Sequence, residues 1–384
     1  MPEPILETRH LTYAYSRSSL ALEDVSMTIP AGKKVVVLGA NGSGKSTLFL
    51  HVNGVLRPRS GEVLYDGRVV EYGASSLTDL RSKISVVMQN PDDQIFSTTV
   101  EEDVAFGPMN LRLEKAEVER RVDEALFLVD LEGIRERPTQ QLSFGQRKRV
   151  ALAGALAMKP QVLMMDEPTA GLDSRMVHEL LELAEELNQK GLTVIMSTHD
   201  VETSYEWADE LRVLHRGRLV YSGQAEGFFE DHDRVRSLDL TRPMLFDMNV
   251  RLRNIRGDPE APYPHTTEEM MHKVFPDASK KVGTVNLVKV IVQPYQHPRM
   301  PPSPEGTAGA LAIGVYGTMA RKWAHDNGMR VDYGFSALQH CAREVSMGRD
   351  FVILVDDALV PLVKSKLAKL GDDFGLKAPL QTIG

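Results

Sequence analysis

Residues 39–47 read GANGSGKST, and the run that leads into them, residues 35–39, reads VVVLG. An apolar stretch that ends in glycine predicts a buried parallel strand. Leu48, Phe49 and Leu50 then predict a helix that begins at the end of the loop. The pattern G-x-x-x-x-G-K-[ST] between a strand and a helix is a cradle for phosphate groups. Gly39, Gly42 and Gly44 allow backbone angles that a side chain forbids. The N–H groups of the loop, those of Ala40, Asn41 and Ser43 included, can then converge on phosphate oxygens at the positive end of the helix. Lys45 is placed to reach the β- and γ-phosphates, the Ser46 hydroxyl to bind Mg²⁺, and Thr47 to add a second hydroxyl. A glycine-rich turn that binds nothing is the competing reading; strand, spacing, lysine and the Ser-Thr pair all count against it.

VLMMDE at 162–167 has the form of a second buried strand with two carboxylates at its tip. After a phosphate loop, such a pair predicts an Asp166 that holds Mg²⁺ and a Glu167 that orients or deprotonates an attacking water. LSFGQ at 142–146 reads on its own as a helix start, since Ser143 followed by Gln146 fits a capping box.

Taken together and in this order, these motifs resemble the ATP-binding subunits of ABC transporters, over roughly residues 4–235. The resemblance implies a P-loop NTPase ABC cassette, a RecA-like α/β core with a helical subdomain, that binds ATP and Mg²⁺. It implies that Ser143 and Gly145, with Gln146 at the same helix start, contact a γ-phosphate held by a second cassette. Tyr15 resembles the aromatic that stacks on adenine, with Tyr13 two residues away as the alternative. Gln89 resembles the glutamine that reaches Mg²⁺ and the attacking water, Asp173 the acid of the loop that crosses the dimer interface, and His199 the histidine at the γ-phosphate. Glu167, His199, Gln89 and Lys45 are the implied catalytic set, and Ser46, Gln89 and Asp166 the implied Mg²⁺ ligands. Phe144 stands where many members have glycine.

One phosphate loop and one signature, without an internal repeat, imply that two cassettes complete each other's sites, as a homodimer or with a related paralogue. QNPDDQIFSTTVEEDVAFGP at 89–108 and residues 150–173 are similar to the cobalt/nickel energy-coupling-factor importers. Those importers add a transmembrane coupling subunit and a substrate-binding membrane subunit. VEEDVAF also reads simply as a helix that begins after Thr98 or Thr99, with acids in its first turn. A vitamin importer ATPase of the same group, a soluble ABC ATPase and a purely regulatory nucleotide-binding module are the alternatives.

The chain has 384 residues, 42% of them hydrophobic, and a formal net charge of −8. That length predicts two domains. Residues 1–250 hold 28 Lys+Arg against 39 Asp+Glu, which argues against nucleic acid as a partner. No apolar run approaches the roughly 18 residues a membrane helix needs, and no signal peptide is read at the start. The expected location is therefore peripheral, on the cytoplasmic face of the cell membrane. The single cysteine, Cys341, leaves no intrachain disulfide to form.

The cassette is expected over residues 1–249, a proline-broken linker with a short helix near 267–275 over 250–282, and a small C-terminal α/β domain, possibly regulatory, over 283–384. Strands are expected at 285–293, 329–335 and 350–357, with helices near 307–327, 337–347 and 358–370, giving a parallel sheet. Its carboxyl edge would present the loop at 293–307, Asp332, Asp356 and Asp357. The domain then reads either as a ligand sensor or as a structural appendage. A metal site from His297, His340 or Cys341 would suit a metal importer, but His340 and Cys341 diverge by about 100° on one helix.

Overall fold

The computed structural model describes residues 4–16, 19–276, 282–290 and 312–383. They form two compact units. The first comprises residues 1–176 and 191–243, the second 177–190 and 244–384.

In chain order the first unit contains β1 (Pro4–Ser16), β2 (Ser19–Pro30), β3 (Lys34–Leu38), α1 (Lys45–Val52), β4 (Ser60–Tyr65), β5 (Arg68–Val69), α2 (Ala74–Lys83) and β6 (Ile84–Val87). Then come α3 (Val100–Asn110), α4 (Lys115–Leu128), α5 (Phe144–Ala157), β7 (Val162–Asp166), the start of α6 (Ser174–Gln189), β8 (Thr193–Thr198) and α7 (Val201–Trp207). It closes with β9 (Glu210–His215), β10 (Arg218–Gly223), α8 (Ala225–Phe229) and α9 (His232–Ser237). A six-stranded sheet has the order β10-β9-β3-β8-β7-β6 and a four-stranded antiparallel sheet the order β2-β1-β4-β5. Strands β3, β7 and β8 are buried along their whole length among Val, Leu, Ile and Met, as a parallel sheet covered on both faces requires. Their pairing is in register, Leu38 opposite Thr198 and Asp166 opposite Ser197. Leu22, Val25, Val35, Val37, Leu48 and Phe49 are among the residues of one buried cluster that joins both sheets to α1.

The starts of α3 and α5 are set by sequence. Thr99 accepts from Glu102 N while Glu102 accepts from Thr99 N; Ser143 and Gln146 form the same reciprocal pair at α5. Each such cap is worth about 1 kcal/mol. The β9–β10 hairpin turns at Arg216 and Gly217, with φ of 47° and 76°, the two left-handed residues a type I′ turn needs.

The second unit contains most of α6, then α10 (Met244–Arg256), α11 (Thr267–Val274), β11 (Val285–Val290), β12 (Ala312–Tyr316), α12 (Thr318–Asp326), α13 (Ala337–Ser346), β13 (Phe351–Asp356), α14 (Val360–Phe374) and β14 (Leu380–Ile383). Its sheet is parallel, in the order β12-β13-β11-β14. Two expectations need correction. Residues 329–335 are not a strand; they run beside β12 through Tyr333, which bridges Gly314 in isolation. The strand is AIGVY at 312–316, inside the stretch expected to be helical from 307. The alanines at 308, 310 and 312 suggest a helix, but Gly314 is needed for packing, since a Cβ there would lie 2.9 Å from the Cβ of Ala337. Strand β14 has no counterpart in the sequence reading, because its partner in register is β11, almost a hundred residues earlier. The units also divide at residue 243, so that α10 falls within the second unit, and that unit claims the 177–190 part of α6.

The carboxylates of α6 are anchored inside this unit. Glu182 accepts from the Arg321 guanidinium and from Ser336 N, both at 2.6 Å. Glu185 accepts from the Tyr316 hydroxyl and Lys366, both at 2.7 Å. Glu186 accepts from Thr318 Oγ1 at 2.8 Å and pairs with Lys190. Asp356 caps α12 through Met319 N and Ala320 N.

Burial raises Glu182 to about 7, against the pull of Arg321, and raises Asp356 to about 6, with Glu186 adding to it. Both folded-state values lie above those of the unfolded chain, so the folded unit holds protons that the unfolded chain releases. Its stability should therefore fall as pH rises from about 4.5 to about 7. Melting of the full chain between pH 5 and 7.5 should show the C-terminal transition move down, and Glu182→Gln should flatten the trend. A transition that rises over the same interval would contradict this protonation pattern.

Candidate active site

The phosphate loop is held from outside as well as by its own angles. Gly39 N donates to Thr198 O of β8 at 3.2 Å, and Gly217 N, in the β9–β10 turn, donates to Ser43 O at 2.9 Å. Gly42 and Gly44 have φ of 77° and 106°. A Cβ on Gly44 would lie 2.7 Å from Ala21 O, and one on Gly39 would collide with Leu214 O. Gly44 caps α1 without any side-chain bond. The first N–H groups of that helix are thus left for an anionic ligand.

Lys45 is 6% exposed. Its ammonium donates to Gly39 O at 2.7 Å and Ala40 O at 3.3 Å, and lies 3.2 Å from Glu167 Oε1. The other carboxylate oxygen, Oε2, is 3.0 Å from His199 Nδ1. Glu167 itself adopts φ 44°, a left-handed conformation costing about 1–3 kcal/mol in a side chain of this size. Its N–H donates to Ser197 O and Ser197 Oγ, each at 3.1 Å. The Ser197 hydroxyl in turn donates to Asp166 Oδ1. Lys45, Asp166, Glu167 and His199 thus meet at the adjacent ends of three parallel strands.

Around this centre, Ser46, Asn41 and Gly42 are exposed and Ser43 and Thr47 buried. Tyr15 is 62% exposed and its hydroxyl lies 3.3 Å from Thr47 Oγ1, whereas Tyr13 packs on the core and against the His51 ring. Of the two rings, Tyr15 is the exposed one. Gln89 is exposed just beyond β6, the sheet neighbour of β7. Ser143 and Phe144 are exposed at the start of α5, and Gly145 is backed by Met176, which a Cβ would strike. Asp173 accepts from Met176 N at 2.8 Å.

Several site residues were not legible from motifs. Ser197 looks like any polar residue at a strand end. Gln94 braces the loop after β6, accepting from Met88 N at 3.0 Å and donating to Val86 O at 3.2 Å. Asp103 accepts from Phe96 N and Ser97 N, both at 3.0 Å. Lys148 is buried in α5 with carbonyl partners after β7. Between Arg147 and Arg149 it reads as one more basic residue at a helix start.

In the second unit, Cys341 is buried and its thiol is pushed up to about 12. His340 stacks on Tyr333 at 4.1 Å. His297 and the loop at 293–307 lie outside the described residues. No cluster of three or more His, Cys, Asp and Glu fit to hold a metal ion occurs among the described residues. Asp356 is turned inward onto α12, Asp332 accepts from Ile313 N at the amino end of β12, and Asp357 pairs with Lys289. Of the acids expected at the carboxyl edge, Asp332 is not there.

The family model described as ABC transporter matches residues 22–170, from the phosphate loop through Glu167. The energy-coupling factor transporter ATP-binding protein EcfA2 of Methanospirillum hungatei is 35% identical over 99% of this chain and 97% of its own. The chain belongs to the ATP-binding subunits of ABC transporters. As a member it is an ATPase whose hydrolysis is coupled to transport. The cobalt import ATP-binding protein CbiO of Rhodobacter capsulatus is 43% identical over 70% of this chain and 96% of its own. The solved structure of cbiO1 from Clostridium perfringens, part of the cbiONQ transporter complex, is 40% identical with a TM-score of 0.56, covering 66% of this chain and 97% of that one. The similarity to EcfA2 runs into the C-terminal domain, whereas these two matches cover little more than the cassette. Among the described residues no helix is long and apolar enough to cross a membrane.

Gly44→Ala tests the loop directly. The left-handed φ and the close carbonyl of Ala21 oppose any side chain, so affinity for a fluorescent ATP analogue should fall at least about tenfold, with strain of about 1–3 kcal/mol. Unchanged affinity would show that the loop tolerates another path.

Proposed function

We propose that the chain hydrolyses ATP as one of two cassettes packed head to tail, and that it powers import of a transition-metal ion, cobalt or nickel, through an energy-coupling-factor transporter. The observation that carries hydrolysis is the convergence of Lys45, Glu167 and His199 through the contacts described above. Phosphoryl transfer needs positioned charge more than covalent chemistry. Water attacks the γ-phosphorus, a P–O bond forms, and the bond to the bridging oxygen of ADP breaks. Glu167 accepts the proton of the water. His199 orients the Glu167 carboxylate and lies toward the γ-phosphate. Lys45 exchanges its contacts with Glu167 and the loop carbonyls for β- and γ-phosphate oxygens. Tyr15 stacks on adenine; Gly39, Ala40, Asn41, Gly42, Ser43, Gly44 and Thr47 line the phosphates.

The donor set also suits Mg²⁺, a hard cation that takes oxygen ligands and keeps several waters. Ser46, Gln89 and Asp166 would hold it, and it would neutralise charge on the phosphates. The buried Ser43 Oγ, which has no hydrogen-bond partner, marks the same place as built for further polar contacts.

Ser143, Gly145, Gln146 and Asp173 belong to the surface offered to the second cassette, whether an identical copy or a paralogue. Phe96, Phe106 and Met109, exposed around α3, offer an apolar patch to the transmembrane coupling subunit. A substrate-binding membrane subunit selects the cargo, and the ATPase sits peripherally on the cytoplasmic face of the membrane. Similarity to a cobalt import ATPase supports the metal cargo. A vitamin importer ATPase of the same group is the second reading, since the full-length similarity to EcfA2 names the energy-coupling-factor group without a cargo. To the C-terminal domain we assign a regulatory role, because it clasps α6, the helix that Asp173 precedes.

Glu167→Gln should bind ATP, accumulate as an ATP-held dimer on gel filtration, and lose hydrolysis by at least about a hundredfold. Wild-type turnover in that variant would remove Glu167 from its role. Cells that carry the full transporter should take up radioactive cobalt or nickel, and Lys45→Ala should abolish it. Vitamin uptake in place of metal would decide for the second reading.

A further inference from the structure

We propose that Lys148 is a positioning residue for hydrolysis: its ammonium holds the stretch of backbone from which the Glu167 carboxylate is aimed. The proposal rests on Glu167 as the general base.

Lys148 lies in α5, five residues beyond Ser143, and is 7% exposed. An ammonium has three N–H donors. The three acceptors here lie within four residues of one turn, Glu167 O at 3.4 Å, Pro168 O at 2.8 Å and Ala170 O at 2.6 Å. The Phe144 ring lies over the same ammonium, 5.4 Å from its centre, and also covers Gly171, where a Cβ would come within 2.8 Å of Phe144 Cε1. The phenylalanine that replaces the common glycine thus shields the lysine from water, which strengthens its bonds.

The held turn contains the strained residue. At φ 44°, Glu167 keeps its conformation only where its surroundings over-determine it. Its N–H is fixed by Ser197. Its C=O accepts from Ala170 N at 3.2 Å and from Lys148 at 3.4 Å. Loss of the Lys148 donors loosens this second grip and removes the ammonium from Pro168 O and Ala170 O. The carboxylate's contacts with Lys45 and His199 and the phosphate loop itself are untouched, so nucleotide affinity should not follow. Ser143 and Lys148 share one helix, so a pull on Ser143 from a bound phosphate also moves the carbonyl behind Glu167.

The test compares Lys148→Met and Lys148→Gln with wild type and Glu167→Gln, all in the full chain, by steady-state ATP hydrolysis, ATP-analogue affinity and thermal melting. A misplacement of about 1 Å can cost about a hundredfold in rate. Lys148→Met should therefore lower kcat at least about tenfold while KM and analogue affinity stay within about twofold. Lys148→Gln, which keeps two N–H donors, should recover part of the loss. If Lys148→Met does not fold, Lys148→Gln alone decides, by a lowered kcat at unchanged KM and melting temperature. Wild-type kcat in the folded variants, or a KM that rises in step with the loss, would overturn the proposal. If Glu167→Gln is fully active, the reading of Glu167 fails and Lys148 has no base to position. If Glu167→Gln is inactive while Lys148→Met runs at full rate, only the role of Lys148 fails.

Discussion

The parallel register of β3, β8 and β7 is the constraint on which the site depends. Leu38 faces Thr198 and Asp166 faces Ser197, so the three strands stop at one level and their next residues emerge side by side. Strands about 4.8 Å apart bring residues more than a hundred positions apart in sequence within reach of one ligand. A one-residue slip of β7 would turn Asp166 and Glu167 to the other face and break the Ser197 bonds to both. The apolar runs that specify this register belong to the core, so the site's geometry is paid for by burial rather than by its own polar contacts.

What could be read from sequence divides along the same line. The phosphate loop, the strand-end acids, the helix start at Ser143 and the position of His199 could be placed from sequence because each is local: the residues of each motif are consecutive or sit at the end of an apolar run. Lys148, Ser197, Gln94 and the brace from Gly217 to the phosphate loop were not legible, since each acts on a partner brought near only by the sheet. In the second unit the error at 312–316 has the same origin. Alanine and glycine lower the apparent strand propensity, and the packing of Gly314 against Ala337 and Phe351, which requires that glycine, comes from elements farther along the chain. Propensity lost to tertiary packing.

The polar contacts of helix α6 within the second unit specify a position more than they add stability. Leu183, Ala184 and Leu187 of α6 are buried and supply apolar contact, yet Glu182, Glu185 and Glu186 are buried or nearly so beside them. Burial of charge costs more than most ion pairs return, and apolar residues of the same size would hold α6 as well or better. What the carboxylates add is direction. Each needs its own donors, Arg321 with Ser336, Tyr316 with Lys366, and Thr318, so only one rotation and one axial position of the helix satisfies all of them. Ser336 accepts the left-handed φ of 52° that places its N–H on Glu182, a local cost that a purely adhesive contact would not need. These contacts therefore fix the rotation and axial position of residues 177–190 within the second unit.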